Sequence, residues 1–440
     1  MIKEFSKTFS IAVPIIISNV SHIALGLIDS AMIGTVDYKL LAASALAINV
    51  LAIPQILCTG MTMAISPLVA IANGRRDHRT VAGVLYNGVL LCTLVTILVV
   101  ATIFLTRNLL FHLGQDAEIA ALAQPYYLVM ACSLVPMILF ASVKQFSDAL
   151  EYTKTAMVLA LLSMPLNAFL NWIFIYGHWG APRLELVGTG IATLITRVII
   201  AIIMVAVVMR HRLFASFLQH RQQAWKLNRK TWSELLHIGI PSSIQYGMEA
   251  GAFSVSGIMI GWLGATAQAA HQIALNLAST TFMAAMGLSL AGSIRVSNAY
   301  GKNDHALMRR IGTSTIWGGL AYGFICALLF VALQSYLPFI FTNNTEVAAI
   351  ASTLLVLGAL FQISDATQAI GVGLLRGIRD VKLPTAFVAI AYWVIGIPVG
   401  YYLAFKLNLG ASGIWIGFIA GLTASSVLLN MRFLNKTKKL

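Results

Sequence analysis

Asp29, Glu249 and Asp365 each lie inside a long apolar run of this 440-residue chain, whereas most of the other acids mark polar turns. An ionised side chain near the middle of a bilayer costs about 2.5–3.5 kcal/mol on insertion scales. A carboxylate persists there when it lines water, binds a cation or takes up a proton. The chemistry on offer is therefore reversible exchange of a cation or proton. A packing acid, hydrogen-bonded to a neighbouring helix, explains one such residue more easily than three.

Neutral polar residues sit in similar places. Asn167 and Asn171 are one helical turn apart, as are Thr193 and Arg197, Gln272 and Asn276, and Gln362 and Asp365. Interhelical hydrogen bonding accounts for each pair alone, and an oxygen-rich cation or proton site would use the same groups. His22 lies seven residues before Asp29 and shares its helix face. It reads equally as a titrating partner or as a neutral imidazole hydrogen-bonded in a wall.

The elements that must hold these groups are membrane helices. Hydrophobic residues make up 59% of the chain and charged residues 10%, with a mean hydropathy of +0.84. A soluble domain carries more charge than that. Runs long enough to cross a core of roughly 30 Å recur. Twelve spans are expected: 9–33, 45–72, 81–105, 122–147, 156–178, 188–210, 235–261, 267–298, 312–337, 347–374, 383–405 and 410–431.

The net charge of +14 would suggest nucleic acid in a soluble protein, but its distribution gives another reason. With the N-terminus in the cytoplasm, 23 Lys and Arg residues fall on inner segments and four on outer ones. That asymmetry places both termini in the cytoplasm. The first apolar run, with Asp29 inside it, reads as a retained span and not a cleaved leader.

The chain is also a duplication. Ala72–His78 recurs as Ala299–His305, and the same offset of 227 pairs Pro14 with Pro241, Gly34 with Gly261, Asn49 with Asn276 and Gly60 with Gly287. Internal repeats are the common architecture of membrane transporters. Six spans per copy make the repeats parallel. The expected fold is an all-α integral membrane protein, its twelve transmembrane helices forming two pseudo-symmetric six-helix lobes around a central cleft. The lobes are 1–210 and 235–440. Segment 211–234 reads as a cytoplasmic surface linker with Gln222, Gln223 and Asn228, and with Trp225 and Trp232 suited to the interface. In this register Glu249 falls on His22 and Asp29 on Ser256. One face then carries Ser18, His22 and Asp29, the other Gln245, Glu249 and Ser256, with an acid on each wall of the cleft.

Other chemistry is scarce. Cys58, Cys92, Cys132 and Cys326 lie within spans and read as small apolar residues. No Gly-rich phosphate loop with its Lys occurs, which argues against an ATP-driven pump. A membrane-surface enzyme would place acids or His in a loop, and only Asp77-His78 and Asp304-His305 qualify. Beside basic residues in both repeats, they read as helix caps. Pro14, Pro54, Pro136, Pro165, Pro241 and Pro398 fall mid-span, where a kink is the ordinary reading.

Taken together these residues resemble the MATE family, the multidrug and toxic compound extrusion transporters. The resemblance rests on Asp29 within Leu27–Gly34, the repeated Gly-basic-x-Asp turns, Leu166–Gly177, Ala270–Asn276, Gln362–Asp365 and Leu375–Gly377, and it covers essentially the whole chain. Glu249 with Asp365 is similar to the NorM branch, whereas the DinF branch usually has Asp where this chain has Asn171. The resemblance implies that Asp29, with Asn167, Asn171 and Thr193, couples ions and binds drug in the first lobe. It implies a cation site at Glu249 and Asp365 in the second lobe, with Gln272 and Asn276 nearby. That site often has a Tyr one turn before its Asp; Phe361 stands there instead, which leaves both Na+ and H+ open as the coupling ion.

The function implied is antiport in a bacterial inner membrane. A monomer would export amphipathic or cationic organic compounds in exchange for Na+ or H+, with no cofactor, no catalytic residue and no nucleic-acid partner, among membrane lipid. Apolar walls rich in Met and Phe would suit tolerant packing. A lipid-linked oligosaccharide flippase would instead need Arg or Lys for pyrophosphate, and an integral-membrane transferase would need the loop pairs already read as caps.

Overall fold

In lipid a backbone amide has no water to bond, so each long apolar run folds as a helix. A computed structural model describes residues 1–112, 114–218 and 226–439. Of the expected linker, Arg221, Gln222, Gln223 and Trp225 lie outside the described residues. The first repeat contains α1 (Ile2–Gly34), α2 (Tyr38–Thr62), α3 (Ile65–Gly74), α4 (His78–Leu105), α5 (Ala117–Ala149), α6 (Thr153–Tyr176) and α7 (Glu185–Arg210). A short α8 (Arg212–Leu218) follows. The second repeat contains α9 (Arg229–Gly261), α10 (Ala265–Gly301), α11 (His305–Leu333), α12 (Thr345–Gly377), α13 (Lys382–Ala389), α14 (Ile397–Tyr401) and α15 (Gly410–Lys439).

Among the described residues, eleven segments are long and apolar enough to cross a membrane, with α2–α3 and Lys382–Lys406 each counting as one. The twelfth expected span is α9, 33 residues long and more polar because it carries Ser242, Ser243, Gln245 and Glu249. Most helices begin earlier than hydropathy suggests, by six or seven residues at α1 (Ile2), α2 (Tyr38), α9 (Arg229) and α11 (His305). Helical hydrogen bonding propagates past the apolar slab, and Asn228 Oδ1 accepts the Lys230 and Thr231 amides at the start of α9. Segment 211–234 thus holds α8 and the first turns of α9. The span at 383–405 is not a regular α-helix: π-helical turns Ile390–Gly396 and Tyr402–Lys406 flank α14.

The repeated heptads are one turn built twice. Arg76 and Asn303 have φ of 58° and 57°. Asp77 and Asp304 share φ −91° and ψ 81°, and their side chains accept the Thr80 and Leu307 amides. Both are N-caps, as expected of a turn residue.

Contacts divide the chain into two compact units, Ile17–Ser243 and Met1–Ile16 with Ile244–Leu440. The division cuts α1 and α9 at equivalent positions, since Ile16 and Ser243 are 227 apart. Each unit therefore contains the first turns of the other repeat's leading helix.

In the unit Ile17–Ser243, the core gathers Ile33, Leu51, Leu110, Tyr126, Leu134 and Ile175. The segment entering α9 is held by Asn87, whose Oδ1 accepts the Trp232 indole at 2.9 Å and the Asn228 amide at 3.1 Å. Ser243 donates to the Leu57 carbonyl at 2.8 Å, and a Cβ on Gly60 would sit 2.5 Å from Ser243 Cα. In the other unit, Arg295 donates to Thr8 Oγ1 at 2.8 Å and forms a buried ion pair with Glu4. There a Cβ on Gly287 would sit 2.3 Å from Ile16 Cγ1. Gly60 with Ser243 and Gly287 with Ile16 are the same contact in the repeat register, which gives the paired glycines a steric reason.

The two contacts differ in what must yield. At Gly287 the nearest atom belongs to the Ile16 side chain; at Gly60 the nearest atoms are backbone. Gly60→Val is predicted to lower the thermal midpoint in detergent by more than Gly287→Val, toward the upper part of the roughly 1–3 kcal/mol range for overpacking. Equal shifts would refute this account.

In α15, Gly413, Gly417 and Gly421 recur at four-residue spacing, and added Cβ atoms would sit 2.4 Å from Ala404 N, 2.4 Å from Gly396 O and 2.3 Å from Ala391 O. Backbone meets backbone along this face, as small-residue motifs permit in membranes.

Candidate functional site

Asp29 lies on α1, 6% exposed, and both of its oxygens are engaged by neutral donors. Asn171 Nδ2 donates to Oδ1 at 2.7 Å, and Thr193 Oγ1 donates to Oδ2 at 2.9 Å. Asn171 Nδ2 also reaches Asn167 Oδ1 at 3.2 Å, and Asn167 Nδ2 donates to Thr193 Oγ1 at 3.2 Å. The one-turn spacing puts Asn167 and Asn171 on one face of α6, where Asn171 reaches Asp29 on α1 and Asn167 reaches Thr193 on α7. Four of the five residues expected in the first-repeat site, all but His22, form one hydrogen-bonded cluster. It orients the carboxylate without cancelling its charge, and the buried Asn171 Oδ1 keeps no partner among the described residues.

Arg197, one turn after Thr193, is buried and donates to Ser133 Oγ at 2.7 Å. It does not hydrogen-bond to Asp29, but it lies within electrostatic range of it. Position alone could not reveal Ser133 as its partner. His22 stays outside the cluster: it is exposed and has no hydrogen bond among the described residues.

Glu249 on α9 is partly buried, and its Oε1 accepts from Gln245 Nε2 at 3.1 Å and from Gln368 Nε2 at 3.0 Å. Gln368 comes from α12, three residues after Asp365. Asp365 is 5% exposed, has no hydrogen bond among the described residues, and lies within electrostatic range of Glu249. The buried Gln362 Nε2, one turn before it, has no partner either. Gln272 and Asn276 on α10 are exposed and bond to each other at 3.1 Å, apart from this hydrogen-bond set.

Aromatic rings close one side of the pair. Phe253 lies one turn after Glu249 and Phe361 one turn before Asp365, with ring centroids 6.2 Å apart. Phe361 also packs at 5.4 Å on Trp415, whose indole donates to His271 Nδ1 at 3.2 Å. Phe253 also packs on Phe418 at 4.8 Å and on Tyr392, which is 5.9 Å away and 2% exposed. Tyr392 is within electrostatic range of both Glu249 and Asp365. It sits in the π-helical stretch Ile390–Gly396, a backbone irregularity often found at functional sites. Neither Gln368 nor Tyr392 is singled out by periodicity. Gln368 carried a signal, its i+3 position after a buried acid; Tyr392 carried none.

Two further acids are buried inside helices, against the expectation of only three outside the loops. Asp148, in the last turn of α5, is 0% exposed and faces Lys144 Nζ at 3.2 Å. Glu4 pairs with Arg295. Both lie in the terminal turn of a helix, and each has a cation in reach.

Among the described residues no three His, Cys, Asp or Glu side chains converge. A monovalent cation would meet carboxylate, amide and hydroxyl oxygens at Asp29, and carboxylate and amide oxygens at Glu249 and Asp365.

The MatE family model matches this chain twice, over residues 14–173 and 241–402, with starts separated by the repeat offset. "Probable multidrug resistance protein NorM" of Bradyrhizobium diazoefficiens is 33% identical over 434 residues, covering 98% of this chain and 93% of the relative. "Multidrug resistance protein NorM" of Vibrio cholerae is 34% identical over 445 residues, covering 98% and 95%. Among solved structures, the eukaryotic MATE transporter AtDTX14 superposes with a TM-score of 0.89 at 20% identity, covering 100% of this chain and 98% of that one. An outward-facing multidrug resistance MATE transporter of the MOP superfamily gives 0.90 at 17% identity, covering 99% and 96%. The duplicated helical repeat, its buried carboxylates and these matches lead to one conclusion: the chain belongs to the MatE family and is a NorM-like multi-pass membrane transporter.

Proposed function

We propose that this protein is a multidrug efflux antiporter of a bacterial inner membrane, exporting amphipathic or cationic organic compounds in exchange for Na+ or H+. The observation that carries this reading is Asp29, a buried carboxylate held only by neutral donors and so able to give up or take a counter-charge. The multidrug resistance relatives support the substrate class, and the buried acids argue against a pyrophosphate-lined flippase. Lys and Arg asymmetry supports cytoplasmic termini, and the proposed functional lobes are 1–210 and 235–440. Each carboxylate centre is complete within one chain, which favours a monomer.

In this mechanism, the ion and the cationic drug compete for the carboxylates and favour different states of the transporter. The ion neutralises Asp29 and, in the second lobe, Glu249 and Asp365. The drug then loses its counter-charge and leaves. Asn167, Asn171 and Thr193 orient Asp29 throughout. We assign Tyr392, packed on Phe253 within electrostatic range of Glu249 and Asp365, as a positioning residue that brings a hydroxyl to a site where Phe361 has none.

The test is efflux of a fluorescent cationic compound from proteoliposomes under a sodium gradient or a pH gradient, each imposed alone. One gradient is expected to raise efflux at least about fivefold, the lower end of typical coupling strengths. No response to either gradient would overturn the reading.

A further inference from the structure

At one membrane face, where the span Lys382–Lys406 begins and α15 ends, lies a groove of about 490 Å³. Phe387, Leu428 and Met431 form its apolar floor, and Arg432, Asn435 and Lys436 its polar rim. Leu428 is 46% exposed and Met431 55% exposed, so hydrocarbon has access to the floor. The rim has an unbalanced charge. Arg432 Nε and Lys436 Nζ both donate to a single oxygen of Asp380, Oδ2, at 2.8 and 2.9 Å. Among the described residues, two cations on one carboxylate leave one positive charge uncompensated, and the Arg432 and Lys436 side chains remain 28% and 41% exposed.

We infer that this groove binds one anionic phospholipid, its phosphate on Arg432 and Lys436 and an acyl chain along Phe387, Leu428 and Met431. The charge complement is a singly charged phosphodiester, and Asn435 supplies an amide donor beside it. Basic clusters at helix ends hold anionic headgroups in this way, whereas a zwitterionic lipid brings its own cation and gains less. An acidic peptide would satisfy the rim but leave the lipid-facing floor uncovered. The inference is independent of the transport reading and stands or falls without it.

The full chain, purified in detergent, is incubated with phosphatidylglycerol, phosphatidylcholine or glycerol 3-phosphate, and bound molecules are counted by native mass spectrometry. One phosphatidylglycerol per chain is expected, held in preference to phosphatidylcholine and not displaced by glycerol 3-phosphate. Removing both cations alone would strand Asp380, whose side chain is only 9% exposed. The variant is therefore D380N/R432Q/K436Q, which removes one net positive charge and is expected to weaken phosphatidylglycerol retention by roughly fivefold. Asp380→Asn alone frees both cations and is expected to strengthen it, the reverse of what a purely structural ion triad would do. Equal retention of the two lipids, displacement by glycerol 3-phosphate, or weaker retention in Asp380→Asn would overturn the inference.

Discussion

Asp29→Asn is expected to remove drug export while leaving the protein folded. The substitution conserves volume and deletes the charge that both ion and drug need. The remaining amide oxygen can still accept from Asn171, and the Thr193 hydroxyl can turn to accept from the new amide nitrogen. Both contacts then persist as neutral hydrogen bonds, each weaker than its charged predecessor by roughly 1 kcal/mol. Function should fall much further. Coupling free energies of about 1–3 kcal/mol correspond to roughly 5–150-fold, and a site stripped of its charge loses all of that coupling. The measurement is drug resistance of cells expressing the variant, alongside its amount in the membrane and its thermal midpoint. Full resistance at normal expression would remove Asp29 from the mechanism.

The second large effect is predicted at the other centre. In Glu249→Gln, the single amide oxygen can still accept from both Gln245 and Gln368, because both donate to the same Oε1 in the parent. That variant therefore isolates charge from hydrogen bonding. Asp365 has no hydrogen bond to lose among the described residues, so Asp365→Asn does the same from the opposite side. Both should reduce the response of efflux to the driving gradient by about tenfold or more, within the usual span of coupling energies. Tyr392→Phe keeps the ring packed on Phe253 and removes only the hydroxyl, so it should shift the ion concentration at half-maximal transport with little change in maximal rate. An unchanged ion dependence in Glu249→Gln and Asp365→Asn would confine coupling to Asp29. An unchanged half-maximal concentration in Tyr392→Phe would reduce that ring to packing.

These variants also separate the two centres physically. Asp29 is held by donors from α6 and α7 within one unit, whereas Glu249 and Asp365 share Gln368 and an aromatic wall in the other. The duplication built matching helices, but the acids fall at different register positions: Glu249 opposite His22, Asp29 opposite Ser256. The two centres are related by descent and unequal in chemistry.

Much of this was legible from residue order. Spans, duplication and buried acids follow from the cost of polar groups in lipid, a property each residue carries by itself. That the Asn pair in α6 must find a partner was legible for the same reason; that the partner is Asp29 was implied only by the family resemblance. The caps at Asp77 and Asp304 follow from local backbone sterics. Tertiary packing alone decided the rest. It joined Gln368 to Glu249, brought Tyr392 to the acids through a π-helical turn, gave Arg197 to Ser133, and left Gln272, Asn276 and His22 outside the hydrogen-bonded sets. It also placed the first turns of α1 and α9 in each other's unit, which explains why Gly60 and Gly287 are both glycine. Hydropathy and spacing report what a side chain requires from its surroundings; which neighbour meets that requirement depends on helix rotation and crossing, set by contacts hundreds of residues apart.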